Sequence, residues 1–234
     1  MARSDVLPPA PDRSQRRKAR TEQAILQAAE DLFLERGFHG VTIDQIAAEA
    51  DVAVGSIYLH FSSKEGLYLA LLERALEVEE GHIAAAFDPD VAPLQQLFRA
   101  GRAYLRFYLE NPGYFRILVF PHLDARPPDQ LPEAAQQLAA KAELQVTRLA
   151  EIIGACVADG IIRTFDPYRA AKFMWGAWNG VISLNLRADR LRLSDEELDL
   201  VIEEGMRMLA EGLASMKLRD DDGGLLEGTF GEAS

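Results

Sequence analysis

The stretch TIDQIAAEADVAVGSIYLHFSSKEGL, running from Thr42 to Leu67, decides the fold. Thr42 with Gln45 has the pattern of a capping box, and Ile43, Ile46, Ala47 and Ala50 follow at the i, i+3, i+4, i+7 spacing of one buried helix face. Ala50-Asp51-Val52 breaks that period, and aspartate is one of the few residues besides glycine that tolerates the left-handed backbone of a tight interhelical turn. A second short helix is expected from about Ala53 to Phe61, with Ile57 and Phe61 inward and Val54, Gly55, Ser56, Tyr58, Leu59 and His60 wholly or partly outward. Ser62 with Glu65 has the pattern of another capping box, so a third helix is expected to start at once. The stretch reads as a helix-turn-helix joined directly to a further helix.

Two features of this stretch ask for an external partner. The outward side of the second helix carries little polarity, and Lys64 falls in the first turn of the third helix, where the helix dipole favours anions. A nucleic-acid phosphate docked at that helix start would suit both its free N–H groups and Lys64. The acidic residues around the motif, Asp44, Glu49 and Asp51, leave room for a plain helical hairpin that binds no DNA.

The residues Gly37-Phe38, Thr42, Ile46-Ala47, Val52, Ile57-Tyr58, His60-Phe61 and Lys64-Glu65-Gly66-Leu67 resemble the signature of the TetR family of bacterial transcription regulators, over roughly residues 18 to 70. That resemblance implies a second motif helix in the DNA major groove, with Tyr58, His60 and Lys64 near phosphates and Gln45, Val54, Gly55, Ser56 and Leu59 near bases. Thr42, at the start of the first motif helix, joins the candidate DNA-binding set. Ala53 departs from the Ser or Thr cap frequent in the family, and Val54 from its polar or basic residue. Both departures reduce direct hydrogen-bond readout, so sequence preference would lean on Gln45, Ser56, contact of Val54 with thymine methyls, and DNA shape.

The net charge of −12 argues at first against nucleic acid, because affinity for phosphates comes mainly from Lys and Arg. Its distribution reverses the argument. Residues 1–65 carry 8 basic and 10 acidic side chains, which leaves −10 to the remainder of the chain. Arg13, Arg16, Arg17, Lys18 and Arg20 sit together with no acid among them, just before the first helix. Ahead of a helix-turn-helix such a run reads as an arm for phosphates or the minor groove, with Arg16, Arg17 and Arg20 as candidate contacts; alone, it would be a solvated tail.

A chain of 234 residues can bury a full core without staples. Its one cysteine, Cys156, excludes an intramolecular disulfide framework and reads as a core residue rather than a nucleophile. No apolar run reaches 18 residues and Met1–Pro11 lacks a signal-peptide core, so no membrane span is expected and a cytoplasmic location is. Pro8, Pro9 and Pro11 punctuate an aperiodic start, and residues 1–14 are expected to form a disordered basic arm.

The rest reads as helices: about 15–36, braced by Ile25, Ala28, Ala29, Leu32 and Phe33; Ser62 to about Gly81; Pro93–Asn111, with Leu94, Leu97, Phe98, Gly101, Leu105, Tyr108 and Leu109 inward; a short aromatic segment at 114–120; Glu133–Asp159; one opened by Asp166-Pro167, to about Arg187; and one capped by Ser194 with Glu197, to about Met216. Proline-rich residues 121–132 are expected to be a loop, and the tail from Lys217 to be disordered. The fold class is all-α: a DNA-binding unit over 15–66, a helical effector-binding and dimerisation unit over 67–216, and a tail over 217–234.

The four histidines, His39, His60, His82 and His122, are scattered, and no catalytic or metal-ligating constellation appears, so neither an enzyme nor a cofactor is expected. Apolar residues on the last two helices cover more than one face, which suggests a second copy as partner, although burial within one chain would also account for them. The second unit concentrates aromatics: Tyr104, Phe107, Tyr108, Tyr114, Phe115, Phe120, Trp175 and Trp178. A small-molecule site is expected there, with Tyr104, Phe107, Tyr108, Phe115, Leu118, Trp175, Trp178 and the polar Asn179 as candidates; the same pattern is also that of an ordinary core. The resemblance implies a ligand-responsive homodimeric regulator, a repressor released from a palindromic operator by a hydrophobic effector. An activator, a ligand-insensitive regulator, or a binding module with a vestigial DNA-binding unit stay open.

Overall fold

The structure is a computed structural model, described here over residues 12–121 and 132–222. The expectations for the extreme N-terminus, for 122–131 and for the tail beyond 222 lie outside those residues. Among the described residues the chain is helical: α1 Arg13–Arg36, α2 Ile43–Glu49, α3 Val54–Phe61, α4 Lys64–Ile83, α5 Pro93–Glu110, α6 Pro112–Val119, α7 Glu133–Ala158, α8 Pro167–Asn185 and α9 Asp195–Leu213. They fall into two compact units that divide after Glu73, within α4.

In the first unit Ile25, Ala29, Leu32 and Phe33 of α1, Ile46 of α2, Ile57 of α3 and Leu67 and Leu71 of α4 are all buried. Phe33, Phe38 and Tyr68 form an aromatic cluster, with ring centroids 5.5, 5.7 and 5.2 Å apart. Edge contacts of this kind fix ring orientation as well as burying area. Helix α1 begins at Asp12, whose side chain makes a capping box with Gln15. The basic run from Arg13 to Arg20 is therefore the first turns of α1 and not an arm ahead of it.

The second unit is centred on α7 and α8, whose buried faces include Ile152, Ile153, Cys156 and Ala171. Gly160 ends α7 at φ 69, as the turn requires. After α9 the chain returns to that turn. Ile162 bridges Ala214, Ser215 Oγ donates to the Gly160 carbonyl at 2.6 Å, and Lys217 Nζ donates to the Asp159 carbonyl at 3.0 Å. Residues 217–219 are thus held in place, where the sequence reading expected a disordered tail from Lys217. Leu109, expected inward on α5, is 43% exposed, in the last turn of a helix that ends at Glu110.

Candidate nucleic-acid interface and ligand cavity

The turn of the motif is built as its residue types demand. Thr42 Oγ1 accepts from the Gln45 amide at 3.3 Å, and Gln45 Oε1 accepts from the Thr42 amide at 2.8 Å. That bond commits the carboxamide oxygen of Gln45 and leaves its NH2 as the end offered outward. Asp51 takes φ 52, which reverses the chain between α2 and α3. Ala53 begins α3 without a side-chain cap. Ile57 and Phe61 hold α3 to the core; Tyr58 and Leu59, 51% and 83% exposed, stand away from it. Gly55 is exposed beside them, and Val54 and Ser56 are half-buried.

Two expectations at the end of α3 are corrected. The cap of α4 is Ser63, whose Oγ accepts from the Gly66 amide at 3.0 Å; Ser62 instead takes φ 64 and turns the chain. The turn brings the Phe61 carbonyl so close that a Cβ on residue 66 would lie 2.1 Å from it, so glycine is obligatory there. His60 also differs from expectation. Its side chain is 7% exposed and its Nδ1 lies 3.7 Å from Glu22 Oε2 on α1, so it braces α3 from behind. Lys64 Nζ lies 4.3 Å from the centre of the Phe38 ring, which holds the ammonium at the start of α4. Arg16, Arg17 and Arg20 are exposed along α1.

The second unit contains a cavity of about 110 Å3. Its wall takes Glu79 and Ile83 from α4, Tyr104 from α5, Gln145 from α7, Met174, Trp175 and Trp178 from α8, and Met206 and Leu209 from α9, with other apolar residues between. Of the expected ligand residues, Tyr104, Trp175 and Trp178 lie on this wall. Phe107, Tyr108, Phe115 and Leu118 do not. Phe107 and Phe115 are fully buried, the ring of Phe107 meets His82 of α4 at 5.6 Å, the rings of Tyr108 and Phe115 meet edge-on at 4.8 Å, and Leu118 is half-buried on α6. Asn179 stands behind the wall, its Oδ1 accepting from the Tyr104 hydroxyl at 2.5 Å.

The residue that sequence reasoning missed is Glu79. It is 6% exposed, and burial, followed by the neighbouring charge of Glu80, pushes its carboxyl up to about 7. Next to it, burial works against ionisation of Glu80 as well, yet hydrogen bonds from Arg148, at 2.5 Å, and from Gln145 hold its carboxyl below the ordinary value. Burial and the charge of Glu79 push the Tyr104 hydroxyl well above the ordinary phenol range. A signal for Glu79 did exist: it continues the stripe of Leu72, Ala75 and Leu76 towards Ile83, where an apolar residue belongs. Among the described residues no helix is long and apolar enough to cross a membrane, and no group of three His, Cys, Asp or Glu side chains could hold a metal ion.

Comparison with known proteins agrees with this architecture. Residues 25–71 match the family described as "Bacterial regulatory proteins, tetR family", and residues 97–209 match "Tetracyclin repressor-like, C-terminal domain". The HTH-type transcriptional regulator RutR of Escherichia coli K12 is 26% identical over 196 residues, 82% of this chain and 90% of RutR. A tetR-family regulatory protein from Rhodococcus RHA1 superposes with a TM-score of 0.69 at 20% identity, over 83% of this chain and 97% of that one. AibR, solved in complex with isovaleryl coenzyme A and operator DNA, superposes with a TM-score of 0.64 at 21% identity, over 79% and 97%. The first match covers the helix-turn-helix and the second most of the helical unit that holds the cavity, and the chain belongs to the TetR family of bacterial transcription regulators.

Proposed function

We propose that this regulator is a homodimeric repressor that binds a palindromic operator through α3 and leaves it when a small hydrophobic effector enters the cavity. The observation that carries the DNA contact is the pair Tyr58 and Leu59, exposed on a helix whose other face is locked by Ile57 and Phe61. Large side chains held away from a core on a rigid helix are what groove insertion uses. In this reading Gln45, Val54, Gly55, Ser56 and Leu59 approach bases, while Arg16, Arg17, Arg20, Thr42, Tyr58 and Lys64 meet phosphates; His60 acts by bracing.

Dimerisation through α8 and α9 is supported by their uncovered apolar residues. Phe173, Leu200 and Met208 are 65%, 64% and 64% exposed, and nothing packs where a Cβ would stand on Gly176 or Gly180. Two copies related by a twofold axis would place their α3 helices about 34–36 Å apart, in successive major grooves. Helix α4 carries Lys64 at one end and Glu79 of the cavity wall near the other, so a displaced wall has a continuous element to act on. A coupling of about 1–3 kcal/mol suffices for release. AibR, solved in complex with isovaleryl coenzyme A and operator DNA, supports a reading in which one chain of this fold engages both kinds of ligand.

The test is selection of binding sites from random duplexes, followed by titration of the selected site at two salt concentrations. Enrichment of a palindrome with half-sites one helical turn apart, and affinity falling steeply with salt, is the expected result. A folded dimer that enriches no site would overturn the reading.

A further inference from the structure

We propose that the cavity takes a small lipophilic cation, an ammonium-bearing ring or short chain, with Glu79 as its counter-ion. The inference rests on the reading of the cavity as the effector site and names the chemistry of the occupant. It starts from the polar groups of an otherwise apolar wall. Glu79 is buried on that wall with no hydrogen bond or ion pair to any described residue. The neighbouring cation on α7, Arg148, is engaged by Glu80 instead. Gln145 spends its amide nitrogen on Glu80 and keeps Oε1 buried without a partner among the described residues. Tyr104 spends its proton on Asn179, which leaves its oxygen able only to accept. Against these three acceptors the wall offers, among the described residues, one unpartnered donor, the Trp178 indole N–H.

An occupant must therefore supply protons and positive charge. A carboxylate or phosphate would face Glu79 and two acceptor oxygens with a single N–H to receive it, and like charges at such range are costly out of water. A neutral carbonyl compound would require Glu79 to hold a proton, and would leave Gln145 Oε1 unsatisfied. An ammonium carries protons enough for all three acceptors, and the aromatic rings of Tyr104, Trp175 and Trp178 suit a cation in a way that aliphatic walls do not. Met174 and Met206 add deformable apolar surface for the remainder of the ligand. A cavity of about 110 Å3 suits a single ring or a chain of about six carbons.

The chain's two tryptophans, Trp175 and Trp178, both stand on this wall, so intrinsic fluorescence reports occupancy directly. The full chain is titrated at pH 8 with n-hexylamine, 1-hexanol and hexanoate, three probes of one length that differ in head-group charge. The expected order is hexylamine tightest by about tenfold or more, then hexanol, with hexanoate weakest. Lowering the pH to 6 protonates Glu79 and should weaken hexylamine without a matching change for hexanol. Of the groups around Glu79, Glu80 is held ionised by Arg148 and Tyr104 stays protonated, whereas His82, three residues along α4 and raised above its ordinary value by the Val78 carbonyl and Glu110, gains its proton in the same interval, a change that Glu79→Gln shares and so controls for. Glu79→Gln should bring hexylamine to the level of hexanol. Hexanol or hexanoate binding as tightly as hexylamine, at both pH values, would overturn the cation and leave the effector cavity standing. Silence of the fluorescence to all three probes would overturn both.

Discussion

The hydroxyl of Tyr104 donates to Asn179 Oδ1 at 2.5 Å and so ties α5 to α8 behind the cavity wall. Among the described residues Asn179 Nδ2 has no partner, so this bond is the side chain's one attachment there. Tyr104→Phe should cost about 1–3 kcal/mol, because it strands a buried amide oxygen. Urea denaturation should show a lower midpoint with an unchanged slope. Pairing Tyr104→Phe with Asn179→Leu should recover part of the loss, since both polar partners are then gone.

Glu79 predicts an inverted pH dependence of stability. Its folded pKa, about 7, lies above the ordinary 4.5. The unfolded chain therefore releases this proton first as pH rises. The carboxyl costs nothing below about pH 4.5, its cost grows between there and about 7, and above that it reaches about 3 kcal/mol. Glu79→Gln should accordingly raise the denaturation midpoint at pH 8 and leave it unchanged near pH 4. Equal midpoints at both pH values would mean that the carboxyl is solvated.

The α3–α4 junction distinguishes two adjacent serines. Ser63→Ala removes the cap on Gly66 and should cost about 1 kcal/mol. Ser62→Gly should be neutral or slightly stabilising, because glycine takes the positive φ of that position without strain. Gly66→Ala should exceed both, since its Cβ would meet the Phe61 carbonyl. Thermal melts of the three variants test the order.

At the interface, Lys64→Ala should weaken binding to every duplex alike and lower the logarithmic salt slope by about 1. Leu59→Ala should change which selected sites are preferred while leaving that slope intact. Titration of one selected and one scrambled duplex at several salt concentrations separates the two effects.

These predictions mark how far the sequence could be read. Caps made by one side chain on its own turn were legible: Thr42 with Gln45, Asp51 at the turn, Asp166 before Pro167 and Ser194 with Glu197 all stand as the residue types imply. Ser62 with Glu65 matched the same pattern and lost to Ser63, because the tight approach of Gly66 to Phe61 moved the helix start by one residue. Such an approach leaves no trace in spacing. The aromatics showed the complementary limit. Periodicity says which residues share a face but not whether that face meets a void or another helix, so Trp178 and Phe115 looked alike and only one lines the cavity. His60 turned inward because Glu22, far away in sequence, waits behind it. Lys217 belonged by composition to a loose tail, and the Asp159 carbonyl captures it.

Cys156 is the chain's one thiol; it is fully buried, and burial, followed by the charge of Asp159, pushes it up to about 11. At neutral pH it is neither exposed nor ionised, and so inert to alkylating reagents. The native chain thus carries no thiol that a label would find. A single cysteine introduced at Leu59 would take a nitroxide or fluorophore alone, without first deleting a native residue. In a dimer, the distance between the two labels would then measure, in solution, the spacing of the recognition helices and its change as the cavity fills.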